Sequence, residues 1–242
     1  EEYRGISEST LSGLQSVFSN NDWDFDIDEW RNTWGTRDQY SLVTSWSTAK
    51  SFASSLIGIA IEEGFIDSVD QYASTYLPNW TGTDKENSVT IKDILEMRSR
   101  LQCPLGGNGG SSIYYQEDQL RPSIERDFNQ DLPDNGWVYC NADTMLLGEV
   151  LLNATGFDAM EFGERYLFSK IGMTVDWWRD GENKYLTYCC LDTTTRDFAR
   201  FGLLWLNQGV WQGEQIISST WIEESLKPAA KVNWSETIGY GY

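Results

Sequence analysis

The chain has 242 residues, with 18 Lys and Arg against 37 Asp and Glu, a formal charge of −19 and no histidine. That length supports one substantial core or two modest lobes, and the acidic surface repels a phosphate backbone, so no nucleic-acid partner is expected. Without histidine, every Ser-His-Asp or Cys-His mechanism is excluded and the commonest neutral metal ligand is missing.

No window approaches eighteen consecutive apolar residues, so no transmembrane segment is expected. The opening "EEYRGISEST" lacks the basic and apolar regions of a signal peptide. A cytoplasmic location is therefore expected, or a secreted or periplasmic one if a targeting segment has been removed. Glycosylation patterns at Asn79, Asn153 and Asn233 carry meaning only on a secretory route. Four cysteines, Cys103, Cys140, Cys189 and Cys190, allow three complete pairings. Cys103 can bridge to one of the adjacent pair in an oxidising compartment, but a chain this long needs no staple and buried free thiols are the expectation.

Apolar spacing at Ile6, Leu11, Leu14 and Phe18 predicts a helix over residues 6–19. The aromatic and acidic stretch that follows reads as a short strand or irregular segment. Its "FDIDEW" lacks a dense oxygen-ligand loop, so no metal site is expected there. A long helix is predicted from Ser47 to Glu63, with Ala49, Phe52, Ala53, Leu56, Ile57 and Ala60 on a broad apolar stripe. Gly64 offers its left-handed stop, and Gly58 marks close packing. Further helices are predicted over 67–77, 90–98 with Thr90 as cap, 141–153 with Asn141 as cap, 157–169, 194–208 and 219–226. "RLQCPLGGNGGSS" and "QDLPDNGWVY" read as loops, and "VWQGEQII" at 210–217 as a hairpin turning at Gln-Gly.

Ser47 and Lys50 lie three apart at the mouth of the long helix, so their side chains share a face. Burial and the positive helix start both disfavour the lysine charge, and a neutral amine there can accept the serine proton during attack on an acyl carbon. An N-capping serine followed by a lysine reaching to solvent fits the same spacing. Tyr139 and Asn141, two apart before a helix, can face one side of an extended segment. A phenol can shuttle a proton to a leaving group and an amide can hold a substrate carbonyl; a packed tyrosine below a capping asparagine is equally consistent.

Together "SWSTAKSFASSLIGIAIEEGFID", "YLPNWTG", "VTIKDILEMRS", "YCNADTMLLGEVLLNATG", "IGMTVDWWRD" and "TTRDFARFGLLWLNQGVWQGEQIIS" resemble the serine beta-lactamase and penicillin-binding-protein-like hydrolases. The resemblance runs over residues 41–242 and is strongest to the branch of class C beta-lactamases, related esterases and nylon-oligomer hydrolases. It implies an α/β (α+β) fold with a helical lobe and an antiparallel sheet lobe, with 1–242 as one domain and 1–40 matching poorly. It also implies metal-independent, cofactor-free hydrolysis of a small-molecule ester, amide or beta-lactam through an acyl-serine. By resemblance Ser47 is the nucleophile, Lys50 its proton acceptor, and Tyr139 and Asn141 the Tyr-x-Asn pair. The resemblance also implies an oxyanion hole formed by the backbone N–H of Ser47 and one from a later strand.

The sequence departs from the family in having no Lys-Thr-Gly or His-x-Gly motif, and "RSRLQC" stands where Ser-Gly is usual, placing Arg98 and Arg100 near the expected cleft rim. The closing "IGYGY" resembles the beginning of a family strand, so the sheet lobe and the second oxyanion donor are expected to be incomplete. An inactive or truncated relative serving as a binding or structural protein is the alternative function. Trp177 and Trp178 are expected to pack at a rim, and Arg196 and Asp197 to pair structurally within their helix.

Overall fold

A computed structural model describes residues 40–103, 111–129, 136–231 and 239–242. The chain divides into the units Glu1–Ser41 and Leu42–Tyr242, and every helix and strand among the described residues belongs to the second. The helix expected over 6–19 and the "FDIDEW" stretch lie outside the described residues.

The second unit opens with strand β1 (Leu42–Thr44) and a 3₁₀ turn (Trp46–Thr48) that runs directly into helix α1 (Ala49–Glu62). Leu56, Ile57 and Ala60 are fully buried, which makes α1 the central helix of the core. Phe52 stacks on Phe201 with ring centroids 3.8 Å apart. Gly64 turns the chain after α1 at φ +77°, a conformation that costs glycine no Cβ clash. The expectation for Gly58 holds, since a Cβ there would lie 2.5 Å from the Trp221 ring.

The helix predicted over 67–77 is not formed. Only one 3₁₀ turn falls there, Ala73–Thr75, with a second, Pro78–Trp80, just beyond. The reason is a competing set of backbone bonds: Ala73 N–H donates to Val89 C=O at 2.9 Å, Ile91 N–H to Gln71 C=O at 3.0 Å and Lys92 N–H to Val69 C=O at 2.8 Å. These bonds tie residues 69–73 to 89–92 as an extended pair, a non-local choice that local spacing does not reveal.

Helix α2 (Ile91–Leu95) is shorter than predicted but starts at Thr90, which exchanges side-chain and backbone hydrogen bonds with Asp93 in a capping box. Helix α3 (Leu120–Ile124) was not legible as a helix, because Pro122 sits inside it. Helix α4 (Asn141–Thr155) packs on α1 and ends at Gly156 in the left-handed conformation. Its N-cap is Cys140, without a side-chain cap bond, and Asn141 is the first helical residue. Asn141 is therefore not the cap the sequence suggested, and its amide is available to the site.

Residues 159–171 form helix α5 (Ala159–Gly163), a π-helical turn (Glu164–Phe168) and the single turn α6 (Ser169–Ile171). A three-stranded antiparallel sheet then places β3 (Leu191–Thr194) between β1 and β2 (Asp176–Trp177), with Val43 opposite Thr193 and Trp177 opposite Leu191. Helix α7 (Thr195–Leu206) follows, capped by the Thr194 hydroxyl. Its buried Asp197 pairs with Arg200, so the structural reading of that acid holds. The hairpin β4 (Val210–Trp211) and β5 (Glu214–Gln215) turns at Gln212 and Gly213, both at positive φ, as the Gln-Gly signal implied. Helix α8 (Ser219–Ser225) precedes the short pair β6 (Ala230–Lys231) and β7 (Gly239–Tyr240).

The cysteines correct the free-thiol expectation. Cys103 is bonded to Cys140, and Cys189 to its neighbour Cys190. The two sulfurs of the first pair meet because Val138 N–H donates to Met97 C=O at 3.1 Å, which sets the segment leading into α4 beside the one that follows α2, and Arg126 contacts both the Gln102 carbonyl and Cys140 Sγ. Spacing along the chain carries no trace of that pairing.

Candidate active site

Three of the four residues singled out in the sequence meet at one oxygen. Lys50 Nζ lies 3.1 Å from Ser47 Oγ, and the Tyr139 hydroxyl donates to the same oxygen at 2.8 Å. Ser47 is exposed on the 3₁₀ turn, while Lys50, one turn further and on the same face, is only 8% exposed at the start of α1. The helix geometry therefore sets an exposed hydroxyl beside a buried amine. The alternative in which Lys50 reaches to solvent is excluded by this burial.

Among the described residues Lys50 has no carboxylate partner to hold its charge. Its second contact is the Tyr188 carbonyl, to which it donates at 2.8 Å, and the Tyr139 and Tyr188 rings lie 5.0 and 5.7 Å from Nζ. Burial lowers its pKa from the ordinary 10.5 to about 7. Burial also raises the Tyr139 phenol, against the opposing hydrogen bond with Ser47, so the tyrosine keeps its proton at neutral pH.

Tyr139 is set by the extended 136–140 segment. Val138 N–H donates to Met97 C=O at 3.1 Å, and the disulfide from Cys140 to Cys103 fixes the next residue. Below this point Arg126, itself buried, pairs with Asp143 at 2.7 Å and also donates to the Ser123 carbonyl. Ser99 completes the Asp143 carboxylate at 2.9 Å. The ring of Tyr139 meets Tyr240 edge-on with centroids 6.2 Å apart, and Trp137 lies 5.6 Å from Tyr240.

Asn141 is buried, and its side chain opposes the rise that burial imposes on the Tyr114 phenol. Tyr114 in turn meets Tyr188 edge-on at 5.1 Å. The Asn141 Oδ1 is buried and has no hydrogen-bond partner among the described residues. Sequence reasoning missed Tyr114, the Tyr188 carbonyl and Ser45, which lies two residues before Ser47 and bonds to Leu191. A main-chain acceptor has no sequence signature.

Trp177 is buried, with its indole N–H shared between the Leu186 and Cys189 carbonyls, whereas Trp178 is exposed and donates to Asp192. Arg98 pairs with Glu96 at 3.6 Å, and Arg100 stacks over Phe128. A separate cavity of about 280 Å³ beside α4, lined in part by Gly148, Leu152 and the Glu149–Lys184 pair, contains none of the cluster residues. Chemistry locates the site better than concavity does here, because an exposed serine over a buried amine has a defined use, whereas the Glu149 and Lys184 charges of that cavity pair with one another. Among the described residues no group of His, Cys, Asp or Glu is placed to hold a metal ion, and no helix is long and apolar enough to cross a membrane.

A mixed α/β fold with a helical lobe, a small open antiparallel sheet and a Ser-x-x-Lys pair at the head of the central helix defines the class of serine-hydrolase-like beta-lactamases and penicillin-binding proteins. The Beta-lactamase family profile matches residues 29–242, and the chain belongs to that family. It is 27% identical over 211 residues to the 6-aminohexanoate-dimer hydrolase of Paenarthrobacter ureafaciens, covering 74% of this chain and 49% of that one. The chain thus spans about half the length of this curated relative. Among solved structures, the penicillin-binding protein from Bacillus halodurans superposes with a TM-score of 0.67 at 17% identity, covering 88% of this chain and 72% of its own. The D-stereospecific amidohydrolase from Streptomyces sp. gives 0.65 at 16%, covering 86% and 71%. These two likenesses establish the fold.

Proposed function

We propose that the protein is a metal-independent serine hydrolase that cleaves a small-molecule ester, amide or lactam through an acyl-serine intermediate. The observation that carries this reading is the convergence of Lys50 and Tyr139 on Ser47 Oγ, at 3.1 and 2.8 Å. Both distances are within the reach a proton transfer needs.

In the first step neutral Lys50 takes the Ser47 proton as Oγ bonds to the acyl carbon, and the carbonyl oxygen becomes an oxyanion. The Ser47 backbone N–H lies in the first turn of the helical segment, where such groups lack an intrahelical acceptor, and can donate to that oxyanion. The tetrahedral centre then collapses. The leaving oxygen or nitrogen receives a proton from the Tyr139 hydroxyl, which regains one from Lys50. Water repeats the sequence in reverse: Lys50 and Tyr139 remove its proton, the acid is released, and Oγ is reprotonated. Asn141, whose buried Oδ1 lacks a partner among the described residues, is assigned the role of orienting a polar group of the substrate. The 6-aminohexanoate-dimer hydrolase likeness favours an open-chain amide or ester among the substrate classes.

The test is pre-steady-state hydrolysis of p-nitrophenyl acyl esters. A burst of nitrophenol equal to the enzyme concentration is expected, and it should vanish in Ser47→Ala. An undiminished burst in that variant would reject the assignment.

A further inference from the structure

The turn from Tyr188 to Leu191 touches the reactive cluster at both of its ends. At one end the Tyr188 carbonyl accepts from Lys50 Nζ at 2.8 Å. At the other, Leu191 and Ser45 are clasped twice: Ser45 N–H donates to the Leu191 carbonyl at 2.8 Å, and Leu191 N–H donates to Ser45 Oγ at 3.0 Å. The Ser45 hydroxyl then donates to the Trp46 carbonyl at 3.0 Å. That carbonyl belongs to the same planar peptide as the Ser47 N–H, so holding the oxygen fixes where the N–H points.

Only Cys189 and Cys190 separate these two contacts, and they are bonded to one another. Linking the sulfurs of adjacent residues closes a small ring through their peptide and restricts the backbone of both. Cys190 has φ +65° and Trp46 φ +45°, left-handed conformations that residues with a side chain rarely adopt and that persist where the surroundings dictate them. The ring is also buttressed from outside. Cys189 N–H donates to Leu186, the Trp177 indole donates to the Cys189 carbonyl, and Trp178 N–H to that of Cys190. Tyr188 is anchored by its own hydroxyl, which donates to Gln119 Oε1 at 2.5 Å.

We propose that the Tyr188–Leu191 turn, closed by the Cys189–Cys190 disulfide, is a positioning element that sets Lys50 and the Trp46–Ser47 peptide in register, with Ser45 as its contact on the nucleophile side. The proposal rests on the acyl-serine reading for its catalytic consequence. Its structural content concerns where Lys50 and one peptide plane are held. A buried disulfide that merely stabilised the fold would have no reason to act differently on the base and on the nucleophile's peptide, and that difference is measurable.

The experiment compares the wild type with Cys189→Ala/Cys190→Ala, Cys189→Ala/Cys190→Gly and Ser45→Ala. The readouts are the rate of covalent labelling by a fluorophosphonate across pH and the titration of Lys50, followed by NMR in protein carrying ¹³C at the lysine ε-carbon. Tyr139 and Tyr188 are the titratable groups facing Nζ, and burial raises both phenols, so the inflection near neutrality belongs to the lysine. Ala/Ala should label about tenfold to a hundredfold more slowly, the scale expected when a reacting group is displaced by about an ångström, with its inflection displaced. Ala/Gly should recover most of the rate, because glycine takes a positive φ without a Cβ penalty. Ser45→Ala should slow labelling while leaving the inflection in place. If Ala/Ala does not fold, Ala/Gly and Ser45→Ala decide: wild-type rates and Lys50 titration in both overturn the proposal. So does a folded Ala/Ala protein with wild-type rate and inflection. A wild type that never labels at Ser47 would instead refute the acyl-serine reading. The Lys50 titration would then still decide the positioning role, supporting it if it moves in Ala/Ala and returns in Ala/Gly, and refuting it if it does not move.

Discussion

Reaction of Ser47 should follow the protonation of Lys50. With a pKa of about 7, against an ordinary 10.5, the lysine presents a neutral amine at physiological pH. About half the molecules carry the free base at pH 7, roughly one in eleven at pH 6 and about ten in eleven at pH 8, whereas an unperturbed lysine would be neutral in only about one molecule in three thousand at pH 7. Burial therefore increases the base form roughly a thousandfold at neutrality. The assay is the second-order rate of fluorophosphonate labelling by intact mass, from pH 5.5 to 9. The rate should climb about tenfold per unit below the inflection and level off above pH 8. Lys50→Arg, whose side chain stays charged throughout, should remove the pH dependence and leave a small residual rate. A flat wild-type profile, or one still rising steeply at pH 9, would refute the assignment of Lys50 as the base.

The same burial makes Lys50 costly to the fold. Between about 7 and 10.5 the unfolded chain binds more protons than the folded one, so stability rises with pH through that window, and below about 7 the full penalty is present. Lys50→Met should accordingly melt higher than wild type at pH 6, by an amount that shrinks toward pH 10; the ceiling of the effect is on the order of 3–5 kcal/mol. Arg126→Met should destabilise by about 3–5 kcal/mol in urea unfolding, because it strands the buried Asp143 carboxylate without its 2.7 Å partner. Gly58→Ala should cost about 1–3 kcal/mol in the same assay, since the new methyl would sit 2.5 Å from Trp221 inside the core.

The long helix was legible because its apolar stripe, from Ala49 to Ala60, is local and dense, and its stop at Gly64 is a property of one residue. The helix from Asn141 and the hairpin at Gln212–Gly213 were readable on the same grounds. What failed depended on distant partners. Residues 67–77 have helical spacing, yet their backbone groups bond to residues 89–92 instead, Ala73 donating to Val89 and the Gln71 and Val69 carbonyls accepting from Ile91 and Lys92. The sheet is hidden because β1 and β2 are two or three residues long and both pair with β3, far along the chain. At the site, Ser47 and Lys50 could be paired from helix geometry alone. The approach of Tyr139 across 92 residues could come only from the family resemblance, as the chain itself holds no local cue to it. The Tyr188 carbonyl and the Ser45 hydroxyl were invisible for a different reason: one is main chain, and the other acts by turning a peptide rather than by touching a substrate. The cysteines misled because chain length says whether a disulfide is needed, not whether the fold brings two sulfurs together.

The most direct test is intact-mass spectrometry of the protein after incubation with a fluorophosphonate, followed by peptide mapping, with Ser47→Ala alongside. A single adduct on Ser47, absent from the variant, is the predicted result. Equal labelling of the variant, or a folded wild-type chain that gains no adduct at pH 8, would contradict the reading of Ser47, Lys50 and Tyr139 as an acylating site.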